Sequence, residues 1–242
     1  MSEDLFQDAK DKVKAKIKAA GKATGTDEIV CIVDRSGSMK KIREDAQGGL
    51  NAFIKEQADL GEANLTIVEF DNQVDTVCDQ VNINEAEEYT LKPRGMTALL
   101  DAIGMVVGDA DKYNTDDGKT IVVIVTDGGE NSSREWKRDA IFNLITERKE
   151  AGWEFLFLAS NQDAISVGHS YGFAAEDSLS FGNNSRGIAA GTETATAYVG
   201  SLRTMSKTDA LHSKAMYASA SADLSDTGAV VIGDKEDKNK IV

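Results

Sequence analysis

Four short runs, 29–34, 65–70, 120–126 and 153–158, are almost continuously apolar and rich in Val, Ile and Leu. Runs of that length without alternation mark strands buried on both faces, and such strands need helices above and below them. The segments between supply those helices. Ile42, Ala46, Leu50, Phe53/Ile54 and Ala58 recur at helical spacing. So do Leu99/Leu100, Ile103, Val106/Val107 and Ala110 within 97–112, and Ile141, Leu144 and Ile145 within 134–151. Strand and helix in alternation are joined by right-handed crossovers into a mainly parallel sheet.

The spacing therefore predicts an α/β fold, Rossmann-like and doubly wound, with helices on both faces. Residues 73–81 alternate weakly through Val74, Thr76 and Cys78 after an Asp71-Asn72 turn, and read as one antiparallel edge strand. A short helix near 164–171, a weak strand near 178–181 and a small-residue-rich helix over 186–205 complete the domain. Three regions follow. Residues 1–26 form an amphipathic helix with Leu5/Phe6, Ala9, Val13 and Ile17 on one face and lysines on the other, a face suited to solvent or to a partner. Residues 27–206 form the domain. Residues 207–242, rich in Ser, Ala, Asp and Lys, read as a polar tail that stays disordered alone, with Ala229–Ile232 as a candidate short strand.

In such sheets ligands collect at the carboxyl ends of the strands. Asp34 ends the first run and Asp127 follows the run 120–126, so two acids meet on one edge. Asp34-Arg35-Ser36-Gly37-Ser38 sets two hydroxyls at alternate positions after the first acid, and alternation along an extended loop points all three side chains one way. Thr97, in Gly95-Met96-Thr97, adds a third hydroxyl. Two acids and three hydroxyls, without His or Cys, make a hard oxygen set that suits Mg²⁺, Mn²⁺ or Ca²⁺ rather than Zn²⁺. Ser38 and Asp127 also have the chemistry of helix and turn caps.

These residues resemble the von Willebrand factor type A domain and its metal-ion-dependent adhesion site. The family's Asp-x-Ser-x-Ser stands here as Asp34, Ser36 and Ser38, its loop threonine as Thr97 and its second aspartate as Asp127. The resemblance covers 27–182 and is that of a compact bacterial or bacteriophage type. It implies a Mg²⁺ ion, with Mn²⁺ or Ca²⁺ as alternatives. Ser36 and Ser38 would bind the ion directly, and Thr97, Asp34 and Asp127 directly or through water. An Asp or Glu of a protein partner would complete the shell. The function implied is a divalent-cation-dependent protein-protein interaction module, not an enzyme.

Composition narrows the alternatives. A formal net charge of −14 opposes nucleic-acid binding, which needs a basic footprint. No apolar run reaches the length of a membrane span, and Met-Ser-Glu-Asp opens no signal peptide. Two cysteines, Cys31 and Cys78, make no framework, which fits a reducing, cytoplasmic setting, and the resemblance implies that of a bacterial or phage-infected cell, though a single disulfide between them is left open. Glu130, Asn131, Ser132, Asn161 and Asp163 are loop residues that either line the same edge or cap local structure. His169, His212, Trp136 and Trp153 carry no motif. Two other functions compete. One is a structural or assembly component, virion-associated in one version, working through the N-terminal helix and the tail. The other is a metal-assisted hydrolase with Asp34 as nucleophile, disfavoured because Ser36 stands where such enzymes usually carry a second acid.

Overall fold

The computed structural model describes residues 2–21, 25–160, 164–222 and 231–232. A seven-stranded sheet is built from β1 (Asp27–Asp34), β2 (Ala63–Phe70), β3 (Val74–Asn82), β4 (Thr120–Thr126), β5 (Glu154–Ser160), β6 (Ser178–Phe181) and β7 (Val231–Ile232). The order is β3-β2-β1-β4-β5-β6-β7. β1, β2, β4, β5 and β6 run parallel to one another, while β3 pairs antiparallel with β2 and β7 antiparallel with β6. The helices are α1 (Ser2–Ala20), α2 (Arg43–Ala58), α3 (Leu99–Gly108), α4 (Ala110–Tyr113), α5 (Arg138–Glu150), α6 (Ala164–Ser170), α7 (Ser185–Thr204) and α8 (Lys207–Ala222).

The unbroken apolar run of β1 is explained by two cores. Ile29, Cys31 and Val33 face one side, packed with Phe53 and Ile54 of α2 and Tyr198 and Val199 of α7. Val30 and Ile32 face the other, packed with Ile103 and Val107 of α3 and Ile141 and Ile145 of α5. Both tryptophans pack: the Trp136 ring lies where a Cβ on Gly104 would sit, and Trp153 stands edge-on to Tyr113. Cys31 and Cys78 are free thiols, so no disulfide joins them.

Three features depart from the periodicity. β1 begins at Asp27, two charged residues before the apolar run, because Asp27 and Glu28 are paired at depth: Asp27 with Arg203, and Glu28 with Asn64 at 2.5 Å. α5 begins at Arg138 instead of near 134, because the Asp101 carboxylate accepts the backbone N–H groups of Arg134, Glu135 and Trp136 and holds them in a loop. Residues 207–222, expected within a polar tail, form α8, which packs against α7 and α1. Ala210, Ser213 and Lys214 are buried there, so the helix is held by tertiary contact and not by an apolar stripe. Val231–Ile232 pairs with β6, within the stretch expected as a short strand.

Helix α1 lays Val13 and Ile17 against Ala197 of α7, and Lys10 reaches Glu193 at 2.8 Å. The side chains of Leu5 and Phe6, like Asn161 and Asp163, lie outside the described residues. No described helix is long and apolar enough to cross a membrane.

Candidate metal centre

Strand register sets the first half of the site. Val33 is paired with Val125, so Asp34 at the end of β1 stands beside Thr126 at the end of β4. Thr126 Oγ1 donates to Asp34 Oδ2 at 2.6 Å, and the Ser36 N–H donates to Asp34 Oδ1 at 2.6 Å. Ser36 Oγ lies 2.9 Å from Ser38 Oγ, and Ser38 Oγ donates to Asp127 Oδ1 at 2.6 Å. The chain of contacts Asp34–Ser36–Ser38–Asp127 thus closes across two strand ends.

Thr97 enters from a separate loop. A Cβ built on Gly128 would lie 3.6 Å from Thr97 Oγ1 and 3.7 Å from Ser38 Oγ, so both hydroxyls flank the same glycine. The structure therefore brings together all five residues singled out by the sequence: Asp34, Ser36, Ser38, Thr97 and Asp127. Among the described residues, no group of three His, Cys, Asp or Glu side chains is placed to hold a metal ion, so a metal held here would draw on the hydroxyls as well.

The loops carrying these groups are tied by contacts that periodicity does not reveal. Arg35, between two of the site residues, is buried and turns away from them. It donates to Glu69 at 2.9 Å, to Asp71 at 3.2 Å and to Asp75. Arg94 also donates to Asp71, at 2.6 Å, and Tyr89 Oη donates to Glu69 at 2.7 Å. Backbone bonds from Arg94 N to Arg35 O and from Gly37 N to Gly95 O lock the Thr97 loop onto the Ser36–Ser38 loop, and one from Ala98 N to Asp71 O ties it to the turn after β2. The one visible signal was an arginine inside the motif and an aspartate, Asp71, just beyond a strand end.

The loop after Asp127 plays a supporting part. Asn131 Oδ1 accepts the Thr97 N–H at 2.9 Å and fixes that residue's backbone. Glu130 is occupied by the N–H groups of Leu100, Ser132 and Ser133, so it caps α3 and its own turn. His169 and His212 are exposed on α6 and α8.

The two carboxylates differ in setting from others nearby. Asp34 is 0% exposed, and every hydrogen bond it receives is from a neutral donor. Burial and, to a lesser degree, the Asp127 charge raise it to about 6, against the lowering effect of the Thr126 and Ser36 hydrogen bonds. Asp127 is also raised, by burial first, with Ser38 and the charge of Lys41 opposing. Asp71, on the same edge, is lowered: burial pulls it up, but the Arg94 hydrogen bond, the Gln73 N–H and the two arginine charges prevail. Two buried acids without a cationic hydrogen-bond partner, beside three hydroxyls, fit a divalent ion.

No family model matches the chain, and no curated protein does. Solved structures match it in fold. Proximal thread matrix protein 1 from the mussel byssus superimposes with a TM-score of 0.55 at 15% identity, over 72% of this chain and 48% of that one. A von Willebrand factor type A structure from Catenulispora acidiphila gives 0.52 at 13%, over 72% and 42%. The chain has a von Willebrand factor A fold. It spans about half the length of the solved chains it matches. A further structure of the mussel protein, with a zinc-occupied MIDAS motif, matches with a TM-score of 0.53 at 16% identity, over 69% and 46%. In the von Willebrand factor A fold of this chain, the edge carrying Asp34 and Asp127 is the carboxyl edge of the parallel strands, the general place for ligands in open α/β sheets.

Proposed function

We propose that the chain is a divalent-cation-dependent protein-binding module. Asp34, Ser36, Ser38, Thr97 and Asp127 hold one ion, and a partner's Asp or Glu completes its coordination. The single observation behind this reading is Asp34, fully buried and hydrogen-bonded only by neutral groups. A buried carboxylate of that kind is costly unless a cation joins it. Serine and threonine oxygens add ligands without charge, so two carboxylates bring a divalent ion to neutrality and leave little repulsion against a third. The ion, when bound, supplies the positive charge and the coordination position for that carboxylate. Mg²⁺, which takes six oxygens at about 2.0–2.1 Å, is our first choice, with Mn²⁺ and Ca²⁺ next. Zinc in the mussel protein's motif makes Zn²⁺ a necessary competitor in any titration.

Binding rather than catalysis is the reading we favour, because the acids are held by hydroxyls and the second acid expected of an aspartyl phosphatase is Ser36. The apolar face of α1 is taken up by α7 and α8, so the assembly alternative would have to work through its exposed lysine face. Free thiols at Cys31 and Cys78 accord with a cytoplasmic setting. Calorimetric titration of Mg²⁺, Mn²⁺ and Zn²⁺ into wild type and Asp34→Asn, paired with pull-downs in Mg²⁺ and in chelator, tests the proposal. Wild type should bind ion and partner, and both should be lost in the variant. Partner capture that is indifferent to chelator and to Asp34→Asn would overturn it.

A further inference from the structure

The edge that carries the candidate metal centre also carries a basic cleft. One wall is the segment after Ser38, with Lys40, Lys41 and Arg43. The other is the segment before Thr97, with Lys92 and Arg94. The open cleft has a volume of about 900 Å³, and the Gly37 N–H donates to Gly95 O between the two segments. Five cations line it against two acids, Glu44 and Asp45, in a chain whose net charge is −14.

The acids are already engaged. Glu44 pairs with Arg43 at 3.1 Å, and Asp45 accepts the Ser185 hydroxyl at 2.7 Å. Arg94 is taken by Asp71 and Asp75. Lys40, Lys41 and Lys92 are exposed, and none has an acidic group within ion-pair distance among the described residues. These three lie within a few residues of Ser38 and Thr97, and the charge of Lys41 already reaches Asp127.

We propose that the partner presents an acidic segment, not a lone carboxylate: one Asp or Glu meets the ion, and further Asp or Glu residues of the same segment lie in the cleft against Lys40, Lys41 and Lys92. This rests on the metal-dependent reading above. Complementary charge at the rim speeds encounter and fixes direction, so the cleft sets which way the segment runs from the ion. A nucleic acid would offer the cleft the same sign of charge, but the rest of the surface repels it.

Fluorescence anisotropy with two synthetic peptides of equal length tests this: a Gly/Ser peptide bearing one Glu, and the same peptide with a run of Glu. In Mg²⁺ the run should bind about tenfold more tightly, the worth of a few exposed ion pairs acting together. The advantage should vanish in the combined Lys40→Ser, Lys41→Ser, Lys92→Ser variant. It should also vanish at ~1 M salt, where screening acts within about 3 Å. Equal affinity of the two peptides for wild type, or an advantage that survives the triple variant, would overturn the cleft. So would displacement of the peptide by single-stranded nucleic acid more readily than by polyglutamate. Chelator and Asp34→Asn separate the two readings. If the lysine-dependent advantage persists undiminished in both, the metal-dependent reading fails and the cleft stands.

Discussion

Strand β1 carries a buried aspartate at each end, and the two are treated oppositely. Asp27, at its start, is 2% exposed and Asp34, at its end, 0%. Asp27 accepts from Arg203 Nε at 2.6 Å and from the Lys119 N–H at 2.9 Å, and Arg203 spends its remaining donors on Gln57, Gly61 and Glu62 carbonyls. Among the described residues Asp34 receives only neutral donors, the Ser36 N–H and hydroxyl and the Thr126 hydroxyl. One acid has its cation supplied by the chain and serves the fold. The other has none from the chain and is suited to a cation from solution. Position at the carboxyl edge is not the deciding factor, since Asp71 lies there too and is compensated by Arg35 and Arg94.

Arg203→Leu should break this contrast most severely. It strands Asp27 as an uncompensated buried charge, a loss of about 3–5 kcal/mol. Urea denaturation measures it, and Mg²⁺ binding by the folded fraction should persist. Asp34→Asn should do the reverse. In chelator it should leave stability unchanged or higher, while weakening Mg²⁺ binding by more than about 100-fold by calorimetry. A large stability loss on Asp34→Asn would mean that Asp34 is structural after all.

Acid titration sharpens the contrast between Asp34 and Asp71, because the signs differ. An aspartate titrates near ~3.9 when unfolded. Asp34 is raised to about 6 when folded, so its contribution is fully present below ~4 and is lost as pH rises through about 6. The loss by neutral pH amounts to roughly 3 kcal/mol in chelator. Asp71 is lowered when folded, so its contribution is present above ~3.9 and is lost as pH falls through its folded value. Urea midpoints across this range, in chelator, should show Asp34→Asn gaining on wild type as pH rises from ~4 to ~6, and Asp71→Asn falling behind wild type as pH rises from acid. Parallel curves for both variants would refute the opposed settings.

How much of this was legible beforehand follows from what periodicity can carry. The unbroken apolar runs announced the central strands, and Asp34 and Asp127 could be placed on one edge because each ends or follows such a run. Arg35, Glu69 and Asp71 gave no comparable signal, because pairing between one loop and the far end of another strand leaves no local pattern. Helix α8 was missed for a related reason. It buries Ala210, Ser213 and Lys214, small or polar residues that look like tail composition until α7 is placed beside them. Asp27 shows the same limit, since nothing near it in sequence foretells Arg203.

The mildest test separates the placing of the site from its charge. Gly95 has φ +71, and a Cβ there would lie 2.4 Å from Asn72 Oδ1 and 3.1 Å from Asp71 Cβ. Gly95→Ala therefore combines left-handed strain with a clash at the loop that presents Thr97, costing about 1–2 kcal/mol. Gly37, across the Gly37 N–Gly95 O bond, would bring its Cβ only to 3.4 Å from Gly95 O, so Gly37→Ala should cost less than about 1 kcal/mol. Unlike Arg203→Leu, which spares the ion, and Asp34→Asn, which spares the fold, Gly95→Ala should lower stability and Mg²⁺ affinity together. Thermal melts with and without Mg²⁺ read both at once: the ion-induced rise in Tm should shrink in Gly95→Ala and persist in Gly37→Ala. If it persists in both, the loop does not govern where Thr97 stands, and the charge on Asp34 and Asp127 alone decides binding.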